Sequence, residues 1–245
     1  MMSIDMIRIG KAAELLGVTA QTLRNWEKSG KLLPTRSKGG QRYYDSEELR
    51  RFAVDITALG LAWASSAQAP YLPEEYYCER NDRFTSRLVK MSTVFLQALS
   101  PTTANTELIS LLTLVVGEIG DNSFAHNLGN WPDIPGVFFA YDVHRRLIVL
   151  ADRGRGVLKT LQQIRPALDN DLDALRVAFT EVISGRDPEK RGNGLKVVRK
   201  VAEVNPINLV FRSGLGVVAI GGSPRSMEIS MAEANIRGTF ATIRI

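Results

Sequence analysis

The sequence has few of the residues on which several classes of protein depend. Its 245 residues include one cysteine, Cys78, and two histidines. A single cysteine excludes an internal disulfide and a zinc site built from several cysteines. No Gly-x-x-x-x-Gly-Lys-Ser/Thr motif occurs, so a P-loop ATPase is excluded as well.

Long apolar runs are also missing. The longest, Leu111 to Val116, is interrupted by Thr113 and is far shorter than the roughly 20 residues that cross a bilayer. The N-terminus has no apolar segment typical of a secretory signal. The sequence therefore predicts a cytoplasmic protein without a membrane partner.

Composition and breaker residues predict two domains. Hydrophobic residues make up 44% and charged residues 23% of the chain, as in soluble globular proteins. The length suffices for one small domain and one medium domain. We expect a head over residues 1–55, a linker over 56–80 that contains Pro70 and Pro73, and a body over 81–245.

Positive charge is concentrated in the head. From Arg8 to Arg42 there are eight basic and two acidic residues, whereas the net charge of the whole chain is +5. Such a local excess is typical of a module that binds nucleic-acid phosphates. A merely solvated surface is the alternative.

The head is predicted to contain two short helices and a basic hairpin. The first helix covers Lys11–Leu16, Gly17 makes the turn, and Thr19 caps the second helix, which ends near Gly30. The hairpin covers residues 35–44 and has a Gly-Gly tip. One face of the second helix carries side chains suited to base edges and phosphates in a major groove: Gln21, Arg24, Asn25 and Lys28.

These features resemble the MerR-type winged helix-turn-helix. The family's pattern is matched by Gly17-Val-Thr-x-x-Thr-Leu-Arg-x-Trp-Glu and by Gly39-Gly-x-Arg-x-Tyr. The resemblance implies double-stranded DNA as the partner, with Arg24 in the groove and the wing braced against the backbone by Arg42 and a tyrosine. A protein-docking role for the helix-turn-helix stays open. The residues expected at the DNA are Gln21, Thr22, Arg24, Asn25, Lys28, Arg36, Lys38, Arg42, Tyr43 and Tyr44.

One departure from that family concerns pairing. MerR-type regulators usually dimerise through a long helix just after the head, and several sense effectors through cysteines. Here Ala53–Ala69 is short and lacks sustained heptads, and the cysteines are missing. If the chain forms a homodimer, as we expect, the body makes the contact.

The body carries three short motifs in a fixed order. They are Glu118-Ile-Gly-Asp-Asn122, Asp152-Arg-Gly-Arg-Gly156 and Gly192-Asn-Gly-Leu195. In a helix predicted over residues 106–127, Glu118, Asn122 and His126 share one face, because each step of four residues turns it by only about 40°. A carboxylate there can deprotonate a water, and an amide oxygen can bind Mg²⁺.

The second and third motifs suit a nucleotide. Asp152 follows an apolar strand and can accept the amino hydrogen of adenine, while Gly154 and Gly156 let the backbone approach the base. Gly192 to Leu195 precede a helix, where backbone N–H groups can bind phosphate oxygens. Each motif alone is an ordinary turn or helix, but together and in this order they predict a nucleotide site.

This order resembles the GHKL family of gyrase, the heat-shock chaperone ATPase, histidine kinases and MutL, over residues 81–245. It implies ATP and Mg²⁺ as cofactors, Glu118 as general base, Asn122 as metal ligand and a lid at residues 185–191. It also implies an α+β fold in which a small helical head precedes a two-layer α/β sandwich of GHKL (Bergerat) type with a mostly antiparallel sheet. The expected cofactor-binding residues are Asn122, His126, Asp152, Gly154, Gly156, Gly192, Gly194, Leu195 and Thr239.

Three functions follow as alternatives. The first is a DNA-binding transcriptional regulator coupled to ATP binding or hydrolysis. The second is a serine/threonine kinase that acts on a small anti-sigma-antagonist-like or other protein, because the body most resembles anti-sigma-factor kinases, with Ser123 in place of the usual alanine. The third binds nucleotide without turnover, and Glu118 counts against it because a carboxylate in an apolar helix is costly to keep.

Overall fold

The computed structural model describes residues 5–16, 18–28, 30, 32–181, 194–222 and 225–245, with only the backbone of Arg51. The chain divides into two compact units, Met1–Asp55 and Ile56–Ile245. Gly17, Gly192 and the expected lid at residues 185–191 lie outside the described residues.

The first unit combines helices with a small antiparallel sheet. The Thr19 hydroxyl accepts a hydrogen bond from the Thr22 amide at 3.1 Å, which confirms the predicted N-cap. Ala12 and Leu23 are fully buried in its core, where the two helices meet. In chain order the elements are β1 (Met6–Arg8), α1 (Ile9–Leu15), α2 (Ala20–Lys28), β2 (Thr35–Arg36), β3 (Arg42–Asp45) and α3 (Ser46–Ala53). Strand β3 lies between β1 and β2.

The second unit is built on a five-stranded antiparallel sheet, which confirms the predicted class with helices and a mostly antiparallel sheet. Its elements are α4 (Ile56–Ser65), β4 (Tyr77–Cys78), α5 (Asn81–Ala98), α6 (Thr103–Asn127), β5 (Val137–Asp142), β6 (Leu147–Asp152), α7 (Gly156–Leu161), α8 (Asp171–Thr180), α9 (Gly194–Val204), β7 (Asn208–Gly221) and β8 (Ser226–Arg244). The strand order is β4-β5-β6-β8-β7.

Helices cover both faces of this sheet. On one face, Phe84 of α5 and Ile119 of α6 share a core with Phe139 and Leu150. On the other face lies α4: a Cβ added at Gly60 would sit 2.8 Å from Val149 Cγ1 and 2.9 Å from Phe138 Cε1. These two residues alternate along their strands with the residues of the first core.

Helix α4 therefore changes two expectations. The body has a third layer beyond the expected two, and residues 56–80, expected as a linker, include a helix that packs on the sheet. The physical reason lies in β6, which is buried along its whole length. A strand that is apolar on both faces needs a cover on each.

The C-terminal strands are longer than predicted. The sequence suggests four strands at 208–212, 217–221, 227–230 and 239–245, but the structure joins them into β7 and β8. The pairing of β7 with β8 shifts register at Ser213/Gly214 and Gly214/Gly216, and the two strands stay paired on both sides of these shifts. Gly214 adopts a φ of +59°, which a glycine accepts without strain.

Helix α6 is the longest helix described. It begins at Thr103, three residues before the start predicted at residue 106, and Thr102 caps it by accepting from the backbone N–H of Asn105 at 3.1 Å. By length and composition alone this helix would suffice to cross a membrane. Eight of its residues are nevertheless buried in the unit, as in the core helix of a soluble fold.

Candidate functional site

Two rows of side chains on α6 form one wall of a pocket in the second unit. Asn122 and His126 lie on the helix face predicted to carry the site, and Ser123 and Asn127 lie next to them on the adjacent face. The pocket has a volume of about 560 Å³, including its open mouth. The remaining lining residues are Ile119, Asp152, Gly156, Val157, Thr160, Leu161, Ala178, Leu195, Phe211 and Thr239.

Asp152 is the buried charged group of this pocket, with 1% of its surface exposed. Its Oδ2 accepts from the Ser123 hydroxyl at 2.7 Å and from the Thr239 hydroxyl at 2.5 Å, and its Oδ1 accepts from the Gly154 amide at 2.8 Å. Burial raises the pKa of the Asp152 carboxyl, and these hydrogen bonds oppose the rise. Thr239, which the resemblance places at the nucleotide, thus bonds Asp152.

The turn after Asp152 is packed too closely for side chains. A Cβ at Gly154 would overlap the Asn127 amide, and one at Gly156, where φ is +76°, would lie 2.9 Å from Ser213 Oγ. Asn127 in turn accepts from the Arg155 amide at 2.9 Å. The two predicted glycines therefore let α6 and β7 close on the turn.

The first and third motifs meet at the start of α9. A Cβ added at Gly194 would lie 2.6 Å from Glu118 Oε2 and 3.0 Å from Asn122 Nδ2. Leu195, the next residue, lines the pocket with Asn122. The structure thus brings Glu118, Asn122 and Gly194 together, while Gly192 lies outside the described residues.

Three polar residues in or beside the pocket make contacts that the sequence does not predict. Ser123 was noted only as a departure from alanine, yet it bonds Asp152. Asn127 comes one residue after His126 on α6. Its spacing of four residues from Ser123 is the only sequence signal that places it near the pocket. Ser213 donates to the Gly238 carbonyl at 3.1 Å and accepts from the Val157 amide at 2.8 Å, and no sequence signal marks it.

A protein-only metal site is absent from the described part of the chain. No group of three or more histidine, cysteine, aspartate or glutamate side chains lies close enough there to hold an ion. Glu118 and Asn122 place side-chain oxygen atoms near the start of α9. Any metal bound there would need further ligands from a bound molecule or water.

In the first unit, the predicted recognition face of α2 is exposed. Gln21, Arg24, Asn25 and Lys28 all have large accessible surfaces. Arg24 donates to Gln21 Oε1 at 3.2 Å, and Gln21 donates to Asn25 Oδ1 at 3.2 Å. Thr22 is half-buried and its hydroxyl bonds that of Thr19 at 2.9 Å, so it belongs to the cap of the helix.

The wing is held to α2 by one carboxylate. Arg36 Nη2 and Arg42 Nε each lie 2.6 Å from a different oxygen of Glu27. The hydrogen bonds from Arg36 and Arg42 lower the pKa of the Glu27 carboxyl. Two of the cations expected at the DNA are thus paired within the unit, and the pairing orients the wing.

The remaining wing residues expected at the DNA differ in their exposure to solvent. Lys38 is exposed near the tip. Tyr43 is half-buried, and its hydroxyl donates to Gln41 Oε1 at 3.2 Å. Tyr44 is 2% exposed and belongs to the core of the unit. Of the two tyrosines offered for a backbone contact, Tyr43 is the one with accessible surface.

Residues 8–44 match the family described as MerR family regulatory protein. The first unit therefore contains a MerR-family helix-turn-helix domain, which implies DNA binding in transcription regulation and a cytoplasmic location. The match ends before the second unit begins. No curated protein matches the chain.

Proposed function

We propose that the chain is a transcriptional regulator whose DNA binding responds to ATP and Mg²⁺ held in the pocket of the second unit. The observation that carries this proposal is the meeting of three distant motifs around one cavity. Asp152 and Asn122 line the pocket, and a Cβ added at Gly194 would meet the side chains of Glu118 and Asn122 beside it. The resemblance of this order to GHKL ATPases supports the same ligand.

The residues present suit an adenine nucleotide. The Asp152 carboxylate accepts hydrogen bonds from the Ser123 and Thr239 hydroxyls and from the Gly154 amide, and the Thr239 backbone N–H also acts on it. Asp152 lines the pocket as a hydrogen-bond acceptor, which is the chemistry that the amino group of adenine would need.

The polar groups near α9 suit the phosphates and their metal. Mg²⁺ commonly takes one or two protein ligands and completes its shell with phosphate and water. Asn122 would supply such a ligand, and Glu118 would orient and deprotonate a water. The N–H groups at the start of α9 would bind phosphate oxygens. When bound, ATP with Mg²⁺ would supply an electrophilic γ-phosphate.

The test is fluorescence-anisotropy binding of the full chain to its own upstream DNA, with and without Mg²⁺ and a non-hydrolysable ATP analogue. A ligand regulates only if it binds two states with different affinity. We expect at least a tenfold shift in Kd, about 1.4 kcal/mol of coupling, that disappears in Asn122→Ala. Tight DNA binding with no shift in the wild type would contradict the proposal.

A second candidate is a serine/threonine kinase that acts on a small partner protein. The position of the Glu118 carboxylate beside the start of α9 favours it, because a general base is needed only for turnover. Glu118→Ala should abolish turnover and retain ATP binding, and Glu118→Gln should behave alike because it keeps the shape without the base. Phosphate on a co-purified protein would support the kinase, whereas free phosphate alone would support the regulator. Hydrolysis retained in Glu118→Ala would contradict the assigned role.

A further inference from the structure

Arg153 lies between the pocket and α4, and neither the family match nor the proposed site gives it a role. Its side chain is fully buried. Its guanidinium donates to the carbonyls of Trp63 and Ala67, the latter at 3.2 Å. It also pairs with Asp133, with Nε at 2.7 Å from Oδ2. A buried charge is tolerated only when it is paired in this way.

The partners of Arg153 tie it to the end of α4. Trp63 lies in the last turn of the helix and Ala67 just beyond it, where backbone carbonyls lack partners within the helix. The Arg153 Cζ also lies 5.7 Å from the centre of the Trp63 ring, a cation–π distance. Arg153 therefore links two backbone carbonyls at the end of α4 to the residue that follows Asp152.

Asp152 and Arg153 are also unable to move independently. They are adjacent residues, and their side chains lie on opposite faces of the sheet, Asp152 in the pocket and Arg153 towards α4. The backbone around them is tightly packed, since a Cβ at Gly238 would overlap Asp152 and lie 2.6 Å from the Gly154 amide. A ligand that displaces Asp152 therefore displaces Arg153.

We infer that Arg153 is a positioning residue that couples ligand binding at Asp152 to helix α4. The inference rests on the proposed function for its ligand. Helix α4 begins at Ile56, the residue after the first unit ends at Asp55. A shift of α4 thus acts on the chain that leads directly into the DNA-binding domain.

The test compares two variants with a matched control in the full chain. Asp133→Asn removes the charge partner of Arg153. Arg153→Lys keeps the positive charge but loses the planar guanidinium that donates to several acceptors at once. Arg237→Gln is the control, because Arg237 is half-exposed and lies 4.0 Å from the same Asp133 oxygen. The probe is the non-hydrolysable ATP analogue with Mg²⁺, and the readouts are its Kd, the DNA Kd with and without it, and amide hydrogen exchange over residues 56–67.

In the wild type and Arg237→Gln, the analogue should slow exchange over residues 56–67 and shift the DNA Kd at least tenfold. In Asp133→Asn and Arg153→Lys the analogue should still bind. It should, however, change the exchange rate over residues 56–67 and the DNA Kd by less than twofold. A role in folding alone would lower stability but leave the responses intact in the folded fraction, which would overturn the inference. Wild-type binding of the analogue without any response at α4 would also overturn it and leave the pocket assignment standing. Failure of the wild type to bind the analogue would overturn the proposed function itself.

Discussion

At the scale of single residues, the Asp152 carboxyl dominates the chemistry of the second unit. Burial raises its pKa, so the Asp152 carboxyl holds its proton more tightly in the folded protein than in the unfolded chain. Stability should therefore fall as the pH rises from about 4 through the raised pKa. The hydrogen bond from Ser123 limits this loss, since it favours the ionised carboxylate.

Removing that donor should make the pH dependence steeper. We expect Ser123→Ala to lower the free energy of unfolding at neutral pH by about 1–3 kcal/mol, and by less in acid, where the carboxyl is protonated. Urea unfolding across a pH series measures both. Ser110→Ala is the control, because Ser110 is exposed on the same helix and donates only to the Thr106 carbonyl; it should change stability by less than about 0.5 kcal/mol. Equal effects of the two variants would contradict this role of Ser123.

At the scale of elements, β8 and the turn after β6 are fitted to each other at Gly238. This glycine has a φ of +56°, and a Cβ there would overlap the Asp152 carboxylate. Gly222 has a similar φ of +74°, but no atom lies within 4 Å of the position that its Cβ would take. Comparing alanine substitutions at Gly222 and Gly238 therefore distinguishes the cost of backbone strain from the cost of crowding in the pocket.

Gly238→Ala should cost the protein more than Gly222→Ala. Backbone strain alone should destabilise Gly222→Ala by about 1–2 kcal/mol. Gly238→Ala should lose a further 1–3 kcal/mol or so through overpacking and should weaken binding of the ATP analogue, because Asp152 must shift. Chemical denaturation and analogue titration measure the two effects. Similar stability of the variants would refute the tight fit.

The elements also show where sequence patterns succeed and fail. The helical spacing of Phe84, Leu88 and Met91 predicted α5 closely, because a single buried face imposes that period. Thr239 was expected at the nucleotide only from the GHKL resemblance, and no local pattern predicts its contact with Asp152, which lies 87 residues away. Helix α4 falls in the short helix and linker expected before residue 81, and it was not assigned to the body because Ala53–Ala69 is short and lacks sustained heptads. The continuous apolar run Leu147–Ala151 was the overlooked sign that this sheet is covered on both sides.

At the scale of the whole molecule, the DNA surface and the pocket belong to different units. Arg24 is exposed on α2 and bonded only to its neighbour Gln21 in the described structure, so its loss should leave the second unit unchanged.

Arg24→Ala should weaken DNA binding by about 1–3 kcal/mol and leave the Kd of the ATP analogue unaltered. Anisotropy on the upstream DNA and analogue titration test the two halves of this prediction. Lys90→Ala serves as the charge-matched control, because Lys90 is exposed on α5 in the second unit. DNA binding that is unchanged by Arg24→Ala would refute the recognition face on α2.

The position of α4 decides where the chain can be cut. A fragment that starts at residue 81 would lack the helix that covers Phe138 and Val149. It would present an apolar sheet face to water and aggregate. A fragment that starts at Ile56 keeps that cover and the partners of Arg153, so residue 56 is the proper start for producing the second unit on its own.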